Sequence, residues 1–361
     1  MLLLLLKLMN SFYFTFFIIS FILSVLLTPY IIRLAYRLKA IDNPNERKIH
    51  QKPIARLGGV AIILAFLFTL FIVYIVDSSK LEFTMDKIWL IDKNLFGVFL
   101  GILILLIIGV WDDIKGLNPG IKLIFHFIAA LIVVAFGVNI WWIRNPFTNL
   151  DIILGNWTYL IVPLWIVLLI NVTNWLDGVD GLATGIGIIA SIVLFFLSIS
   201  HEVNQSSTGL LAIVLAGSLL GFLIYNFNPA KIFLGDSGSM FIGFMLAIFA
   251  IISGGKMATA ALVLGLPILD AFWVIIRRII SGKSPWTADR LHLHHRFLDV
   301  GFSQRQTVFM LYGISALFGV VALSAKTKEK LILSFWLIAI MFVIASILVK
   351  LKKVKNNEKA N

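Results

Sequence analysis

The sequence predicts an all-α membrane protein that crosses the bilayer about eleven times. Of its 361 residues, 60% are hydrophobic and only 13% are charged, whereas a soluble domain carries about 25% charged residues. The mean hydropathy is +1.00. Apolar runs of about 17–25 residues, the length that crosses the hydrocarbon core, recur along the whole chain. Most of the surface must therefore face lipid, and we treat residues 1–361 as a single integral membrane domain.

The apolar runs are continuous and do not alternate with polar residues, which favours helices over the strands of a barrel. No small-residue cleavage site follows the first run, so we expect an uncleaved first span. The absence of cysteine excludes disulfides, cysteine-ligated zinc, iron–sulfur clusters and thiol nucleophiles. The predicted spans are roughly 11–32, 57–76, 95–111, 121–138, 157–175, 182–200, 208–225, 238–253, 258–280, 304–323 and 331–349.

Basic residues gather in three segments that fall on one side of a chain with eleven spans. They lie between Arg33 and Arg56, between Arg277 and Arg305, and from Lys350 onward. The positive-inside rule makes that side cytoplasmic, which places the N-terminus outside and the C-terminus in the cytoplasm. The same distribution accounts for the net charge of +12 without any nucleic-acid partner.

Two adjacent carboxylates, Asp112 and Asp113, end the third predicted span. A charge at membrane depth costs about 2.5–3.5 kcal/mol or more, so such residues usually mark a functional site. A divalent cation or a nearby lysine can relieve the repulsion within the pair, and Lys115 and Lys122 are the candidate lysines. A solvated acid pair that ends a helix is the alternative.

Four side chains with oxygen atoms recur at every third residue from the end of the fifth span: Asn171, Asn174, Asp177 and Asp180. This spacing keeps neighbours adjacent along a helix. Their oxygens suit Mg²⁺ together with a ribose or a phosphate. A polar turn between two spans is the alternative.

A third polar group contains Asn228 and Asp236, and Asp236 is predicted to open the eighth span. Aspartate at a helix start is an ordinary N-cap. Exposed amides at such a start also bind phosphate, which aspartate would oppose unless a metal ion bridges the two.

The fourth group is Asp289-Arg-Leu-His-Leu-His-His-Arg, in which Arg290 and Arg296 flank three histidines. Few acidic ligands stand nearby for zinc, whereas two guanidinium groups suit a pyrophosphate. A basic loop that only fixes the topology is the alternative. The histidines are His292, His294 and His295.

In this order the four groups resemble the motifs of the polyprenyl-phosphate N-acetylhexosamine-1-phosphate transferases, glycosyltransferase family 4. The similarity runs from about Asp42 to Ser303 and includes Asp42-Asn-Pro-Asn-Glu-Arg-Lys-Ile-His and Gly58-Gly59. The resemblance implies eleven helices and a cytoplasmic active site at membrane level. Leu293 interrupts the histidine run, which resembles the UDP-N-acetylglucosamine branch more than the muramoyl-pentapeptide branch.

The resemblance also implies residue roles. Asp236 matches the magnesium-binding aspartate and Asp177 the metal-proximal motif. Asp112, Asp113, Asp177 and Asp180 are the catalytic candidates, with Asp112 as the base that deprotonates the lipid phosphate; an aspartate nucleophile in a two-step route stays open. The substrate-binding candidates are Asn171, Asn174, Lys115, Lys122, Asn228, Arg290, His292, His294, His295 and Arg296.

The implied reaction transfers N-acetylglucosamine-1-phosphate from UDP-N-acetylglucosamine to undecaprenyl or another polyprenyl phosphate and releases UMP. It would use Mg²⁺, with Mn²⁺ as the alternative ion, at the bacterial cytoplasmic membrane, and would begin a cell-envelope glycopolymer such as teichoic acid or lipopolysaccharide. A homodimer stays open. The alternatives are phospho-N-acetylmuramoyl-pentapeptide transfer and an ion-coupled secondary transporter, although a transporter predicts polar span centres and internal repeats that are not evident here.

Overall fold

Each of the predicted apolar segments lies on helix in a computed structural model, which describes residues 11–44, 52–84, 86–145, 147–148, 150–253, 257–282 and 292–360. The agreement extends to the boundaries, most of which fall within a few residues of the predicted ones. The helices are α1 (Ser11–Arg37), α2 (Gly58–Asp77), α3 (Lys93–Lys115), α4 (Pro119–Ala135), α5 (Thr158–Leu176), α6 (Leu182–Ser198), α7 (Ser206–Asn226), α8 (Gly235–Ile252), α9 (Met257–Val263), α10 (Gly265–Ile280), α11 (Leu293–Val300), α12 (Gln304–Ser324) and α13 (Thr327–Ala360).

Within the described residues, eight helices are long and apolar enough to cross a membrane. They are α1, α2, α3, α5, α7, α8, α12 and α13. The bent pair α9 and α10 would make a ninth span, and α4 and α6 are shorter apolar helices of 17 residues each. The chain is therefore an all-α, multi-pass membrane protein, as predicted, while the count of eleven spans stays a prediction.

Strands occur only in connecting segments of the described chain, as three antiparallel pairs. The expectation that the spans themselves are helices is therefore confirmed. The pairs are β1 (Ile41–Asp42) with β2 (Ile54–Ala55), β3 (Lys87–Ile88) with β4 (Ile91–Asp92), and β5 (Trp142–Arg144) with β6 (Asp151–Ile153).

Local side chains explain where several spans begin. The Asp92 carboxylate accepts hydrogen bonds from the backbone N–H groups of Asn94 (2.9 Å) and Leu95 (3.2 Å) and thereby caps α3. Asn118 caps α4, with Pro119 as the first helical residue. A capping box between Ser303 and Gln306 opens α12. Each cap satisfies backbone donors that have no partner inside their own helix.

The predicted span 258–280 is divided into two helices that meet at an angle of 78°. Pro267 lies in the first turn of α10. Its ring would clash with the carbonyl group of Val263 in a continuous helix, and it has no N–H to donate. The chain therefore breaks at Leu264, and α10 takes a new direction with Asp270 buried on one side.

Helix α8 forms the centre of the bundle. It packs against α2, α3, α5 and α6, and every residue from Ser237 to Ile251 is buried. The outer helix α13 instead exposes large apolar side chains such as Phe335, Trp336 and Phe342, as expected for a surface that faces lipid. The residues in the first turn of α8 therefore lie at one end of the protein interior.

Candidate active site

The first turn of α8 brings two of the four polar groups together. Asp236 lies in that turn, and Asp112 and Asp113 lie in the last turn of α3. Lys122 reaches them from the first turn of α4, and Arg56 from the segment before α2. Positions that are 114 to 123 residues apart in the chain are in direct contact here.

Asp113 serves as a cap for α8 from a neighbouring helix. Its carboxylate accepts hydrogen bonds from the backbone N–H of Asp236 (2.8 Å), the backbone N–H of Ser237 (3.2 Å) and the Ser237 hydroxyl (2.7 Å). The Arg56 Nε lies 3.9 Å from the same carboxylate, whose side chain is 0% exposed. The positive end of the α8 dipole and the guanidinium both offset part of the cost of burying this carboxylate.

Asp112 and Asp236 share a lysine. The Lys122 ammonium donates to Asp236 Oδ2 at 2.6 Å and to Asp112 Oδ2 at 3.4 Å. The other oxygen of Asp112 accepts from the backbone N–H of Leu117 at 2.6 Å. A cation therefore stands between these two carboxylates, and of the two predicted lysines Lys122 is the one that relieves their repulsion.

Lys115 has a different position. It is exposed and lies at one end of an apolar cleft along α3 that also includes Trp111 and Ile114. The geometry therefore separates the two candidate lysines, although both were predicted to bind substrate.

Small residues allow the start of α8 to approach its neighbours. Gly59, in the first turn of α2, lies beside Gly238, and a Cβ atom on Gly59 would overlap the backbone nitrogen of Gly238. The Gly59 N–H also donates to the Leu234 carbonyl at 2.8 Å. The Gly58-Gly59 pair therefore fixes the Asp236 turn against α2.

The end of α5 joins the same region through Asn174. Its side-chain amide donates to the Ser239 hydroxyl at 2.9 Å, and Ser239 belongs to α8. Asn171 lies one turn earlier, where its amide nitrogen donates to the Val167 carbonyl (2.7 Å) and lies 3.4 Å from His126 Nδ1. Asn174 therefore contacts the α8 start, whereas Asn171 contacts α4.

Asp177 and Asp180 follow α5 and have different surroundings. Asp180 Oδ2 accepts from the Asn228 side chain (2.9 Å) and from the backbone N–H of Ala230 (3.1 Å), so it holds the predicted Asn228 loop in place. Burial, followed by the negative charges of Asp236 and Asp113, raises the pKa of Asp177 to about 8. Asp177 therefore belongs electrostatically to the carboxylate cluster that Asp112, Asp113 and Asp236 form.

The histidine segment lies against the Asp177–Asp180 loop. His294 is buried, and a Cβ atom on Gly178 would lie 2.5 Å from its Nε2. Burial, followed by the neighbouring His295 and His292, lowers the pKa of His294 well below its usual value, so this imidazole is neutral at pH 7. Arg296 lies on α11, and Arg290 lies outside the described residues.

Two residues of this region were not among the sequence candidates. Arg56 was interpreted only as part of a basic loop, yet it approaches both Asp113 and Asp42, the latter at 3.7 Å. Asp270 Oδ2 lies within hydrogen-bond distance of His292 Nδ1, at 2.8 Å. A lone acid inside a predicted span is itself a signal of function, so Asp270 could have been found from the sequence.

The donor chemistry of the cluster fits Mg²⁺. No group of three or more His, Asp or Glu side chains in the described part of the chain is spaced to hold a metal ion. Mg²⁺, however, usually takes one or two carboxylates and completes its octahedron with waters and substrate phosphates. The position of the Lys122 ammonium between Asp112 and Asp236 indicates that positive charge is favourable at this point.

Known proteins share this sequence pattern. Residues 95–254 match the family described as Glycosyl transferase family 4. A probable undecaprenyl-phosphate N-acetylglucosaminyl 1-phosphate transferase of Bacillus subtilis (strain 168) is 32% identical over 342 residues, which cover 92% of this chain and 90% of the relative. A decaprenyl-phosphate N-acetylglucosaminephosphotransferase of Mycobacterium leprae is 33% identical over 306 residues, 77% of this chain and 75% of the relative.

A more distant relative covers nearly the same length. The undecaprenyl-phosphate alpha-N-acetylglucosaminyl 1-phosphate transferase of Escherichia coli O157:H7 is 25% identical over 346 residues, 91% of this chain and 87% of the relative. The site and these similarities together define a membrane-embedded transferase. The chain belongs to glycosyl transferase family 4.

Proposed function

We propose that this protein transfers N-acetylglucosamine-1-phosphate from UDP-N-acetylglucosamine to undecaprenyl or another polyprenyl phosphate and releases UMP. The observation that carries the proposal is the meeting of Asp112, Asp113 and Asp236 with Lys122 and Arg56 at one end of the apolar helices. The relatives are named for the transfer of N-acetylglucosamine phosphate to undecaprenyl or decaprenyl phosphate.

The position of the cluster suits both substrates. A nucleotide sugar is water-soluble and a polyprenyl chain stays in the bilayer, so only a site at the membrane surface meets both. The donor and the acceptor are both anionic and repel each other. Lys122, Arg56 and the arginines of the histidine segment would offset that charge and align the phosphates.

The proposal includes Mg²⁺, held by Asp236 and Asp177. When bound, the ion would supply charge neutralisation at the diphosphate and make the nucleotide a better leaving group. Asp236 is anchored for this task because its own backbone N–H is fixed by Asp113.

Asp112 is the better placed of the paired acids for proton transfer. Asp113 has hydrogen bonds to three donors at the α8 start, whereas Asp112 binds one backbone N–H and shares Lys122 with Asp236. We propose that Asp112 takes the proton of the acceptor phosphate. A phosphate monoester has its second pKa near about 6 and is mostly ionised at pH 7, so this step gives a modest rate gain.

An apolar cleft of about 550 Å³ suits the acceptor chain. It lies between α10, α11 and α13, with Phe272, Trp273, Ile276 and Phe342 among its lining residues and Arg296 at its polar edge. An isoprenoid chain in this cleft would place its phosphate beside the histidine segment. We propose that the membrane is the bacterial inner membrane and that the site faces the cytoplasm, where UDP-sugars are made.

A transfer assay tests the reaction and the donor together. Purified protein in detergent receives polyprenyl phosphate, Mg²⁺ and UDP-N-acetylglucosamine labelled in the sugar. We expect label in the organic phase, release of UMP, and loss of both with EDTA or in Asp236→Asn. Asp151→Asn is the matched control, because Asp151 lies exposed on β6.

The donor is decided by competition. If label enters the organic phase only from UDP-N-acetylmuramoyl-pentapeptide or another UDP-amino sugar, that compound replaces UDP-N-acetylglucosamine as the donor. Folded protein that transfers none of them would contradict the proposed function.

A further inference from the structure

Asp270 is a buried acid on a helix that otherwise carries its charges at the end. It lies on α10 after the 78° bend and is 7% exposed. A charge in this position is expensive unless it is paired and hydrogen-bonded. Its partners should therefore reveal what it is for.

Both oxygens of Asp270 face the start of α11. Oδ1 accepts from the backbone N–H of Leu293 at 2.9 Å, and Oδ2 lies 2.8 Å from His292 Nδ1. Leu293 is the first residue of α11, and the preceding His292 offers no side-chain cap. Asp270 thus supplies the missing cap from another helix.

The contact with His292 fixes the position of a proton. An ionised carboxylate can only accept hydrogen bonds, so the proton of this pair lies on Nδ1 of the imidazole. Nε2 is then the nitrogen left for another partner, because the hydrogen bond at Nδ1 sets the tautomer of the ring.

His292 and the Asp177–Asp180 loop belong to one packed unit. The rings of His292 and His294 are parallel to within 2°, with their centroids 5.7 Å apart. His294 in turn lies against Gly178. A rotation of the His292 ring would therefore disturb the contact between the histidine segment and the carboxylate cluster.

We propose that Asp270 is a positioning residue of the transfer reaction, which holds His292 as the Nδ1–H tautomer and thereby presents the Nε2 lone pair as a hydrogen-bond acceptor to a hydroxyl or amide N–H of the nucleotide sugar. The inference rests on the proposed function for its substrate. The contact itself comes from the geometry of α10 and α11. Asp270 does not touch the substrate and acts through His292.

A double-mutant cycle tests this coupling. We expect Asp270→Asn to lower kcat about 10–100-fold with little change in the KM for UDP-N-acetylglucosamine, the size of loss that is typical when a carboxylate that orients a metal-binding histidine is removed. His292→Gln should lower kcat at least as far. The double variant should then match His292→Gln alone, because Asp270 has nothing left to position. Full kcat in Asp270→Asn, or losses that multiply in the double variant, would overturn the proposal.

A spectroscopic measurement decides the tautomer without removing Asp270. The chain has six histidines, so ring-¹⁵N spectra of the whole protein are tractable, and the His292 signals are those lost in His292→Asn. The asparagine amide can still donate to Asp270, which keeps α11 capped. An Nδ1–H signal for His292 in the wild type is expected, and an Nε2–H tautomer would overturn the inference even if Asp270→Asn unfolds. If the wild-type protein shows the Nδ1–H tautomer but transfers no sugar, the proposed function and the role of Asp270 in the reaction are both overturned. If the wild-type protein is active but shows the Nε2–H tautomer, only the inference about Asp270 is overturned.

Discussion

At the scale of single residues, Asp112 and Asp113 are neighbours in the chain with different surroundings. Asp113 is fully buried and bound to the first turn of α8. Asp112 faces Lys122 and the cluster. One acid therefore holds the site together, while the other is available for chemistry.

This difference predicts different variant phenotypes. Asp113→Asn directs an amide NH₂ toward groups that themselves donate, so it should destabilise the protein by about 1–3 kcal/mol for each unsatisfied group and remove activity. Asp112→Asn should remove most activity with little change in stability. Thermal unfolding in detergent, measured beside the transfer rate, separates the two effects. Equal melting temperatures for both variants would contradict the division of roles.

The raised pKa of Asp177 predicts how the affinity of the site for a metal ion depends on pH. Its pKa is about 8, so in metal-free protein it carries a proton at neutral pH. A metal ion must displace that proton, and the apparent affinity for Mg²⁺ should rise up to about tenfold per pH unit until about pH 8 and then level off. Calorimetry at about pH 6.5 and about pH 8.5 in two buffers with different ionisation enthalpies would measure both affinity and proton release. Asp177→Asn should bind weakly with little pH dependence; the same steep dependence in this variant would exclude Asp177 as its source.

The residues that sequence reasoning found share one property. Asp112, Asp177 and Asp236 are conspicuous because acids are rare at the ends of apolar segments. Arg56 was one of seven basic residues between Arg33 and Arg56, and nothing local distinguishes it from the others. Its contact with Asp113 depends on how α2, α3 and α8 pack, which periodicity does not reveal.

At the scale of elements, the start of α8 depends on the close approach of α2. The Gly59 N–H donates to Leu234, and the glycine leaves room for the backbone of Gly238. The position of Asp236 is therefore set partly by a residue without a side chain.

Substitution of this glycine should separate α2 from α8. The added methyl group of Gly59→Ala would meet backbone atoms, which cannot move aside as a flexible side chain would. We expect a loss of about 1–3 kcal/mol in stability and a large loss of transfer activity. Gly313→Ala is the matched control, since a Cβ atom there meets nothing within 4 Å. Wild-type melting and activity in Gly59→Ala would show that the two helices are not tightly apposed.

The elements also show what apolar patterning predicts and what it misses. The ends of α3, α5 and α8 were predicted to within a few residues, because polar residues stop each apolar run. The direction of α10 was not predicted. Pro267 marks a break, but the 78° bend depends on the neighbours that α10 meets, and this bend is what turns Asp270 toward α11.

At the scale of the whole molecule, the basic segments and the acidic cluster lie at the same end. Arg56 joins the first basic segment to Asp113. Arg305 joins the second to the Asn228 carbonyl through Nε (3.1 Å) and Nη2 (2.9 Å), beside Asp180. The positive-inside rule predicts that the site opens to the cytoplasm.

Cysteine labelling tests this orientation in a chain whose wild type contains no cysteine and is therefore its own unlabelled control. Trp89, in the β3–β4 turn, is 89% exposed and lies before α3, whereas Lys115 is exposed at the opposite end of that helix. Its 23 residues span about 34 Å, enough to separate the two positions by a bilayer. In intact bacterial cells a membrane-impermeant maleimide should label Trp89→Cys and should reach Lys115→Cys only after permeabilisation. The reverse result would place the carboxylates outside, away from the cytosolic pool of UDP-sugar, and would contradict the proposed donor as well as the topology.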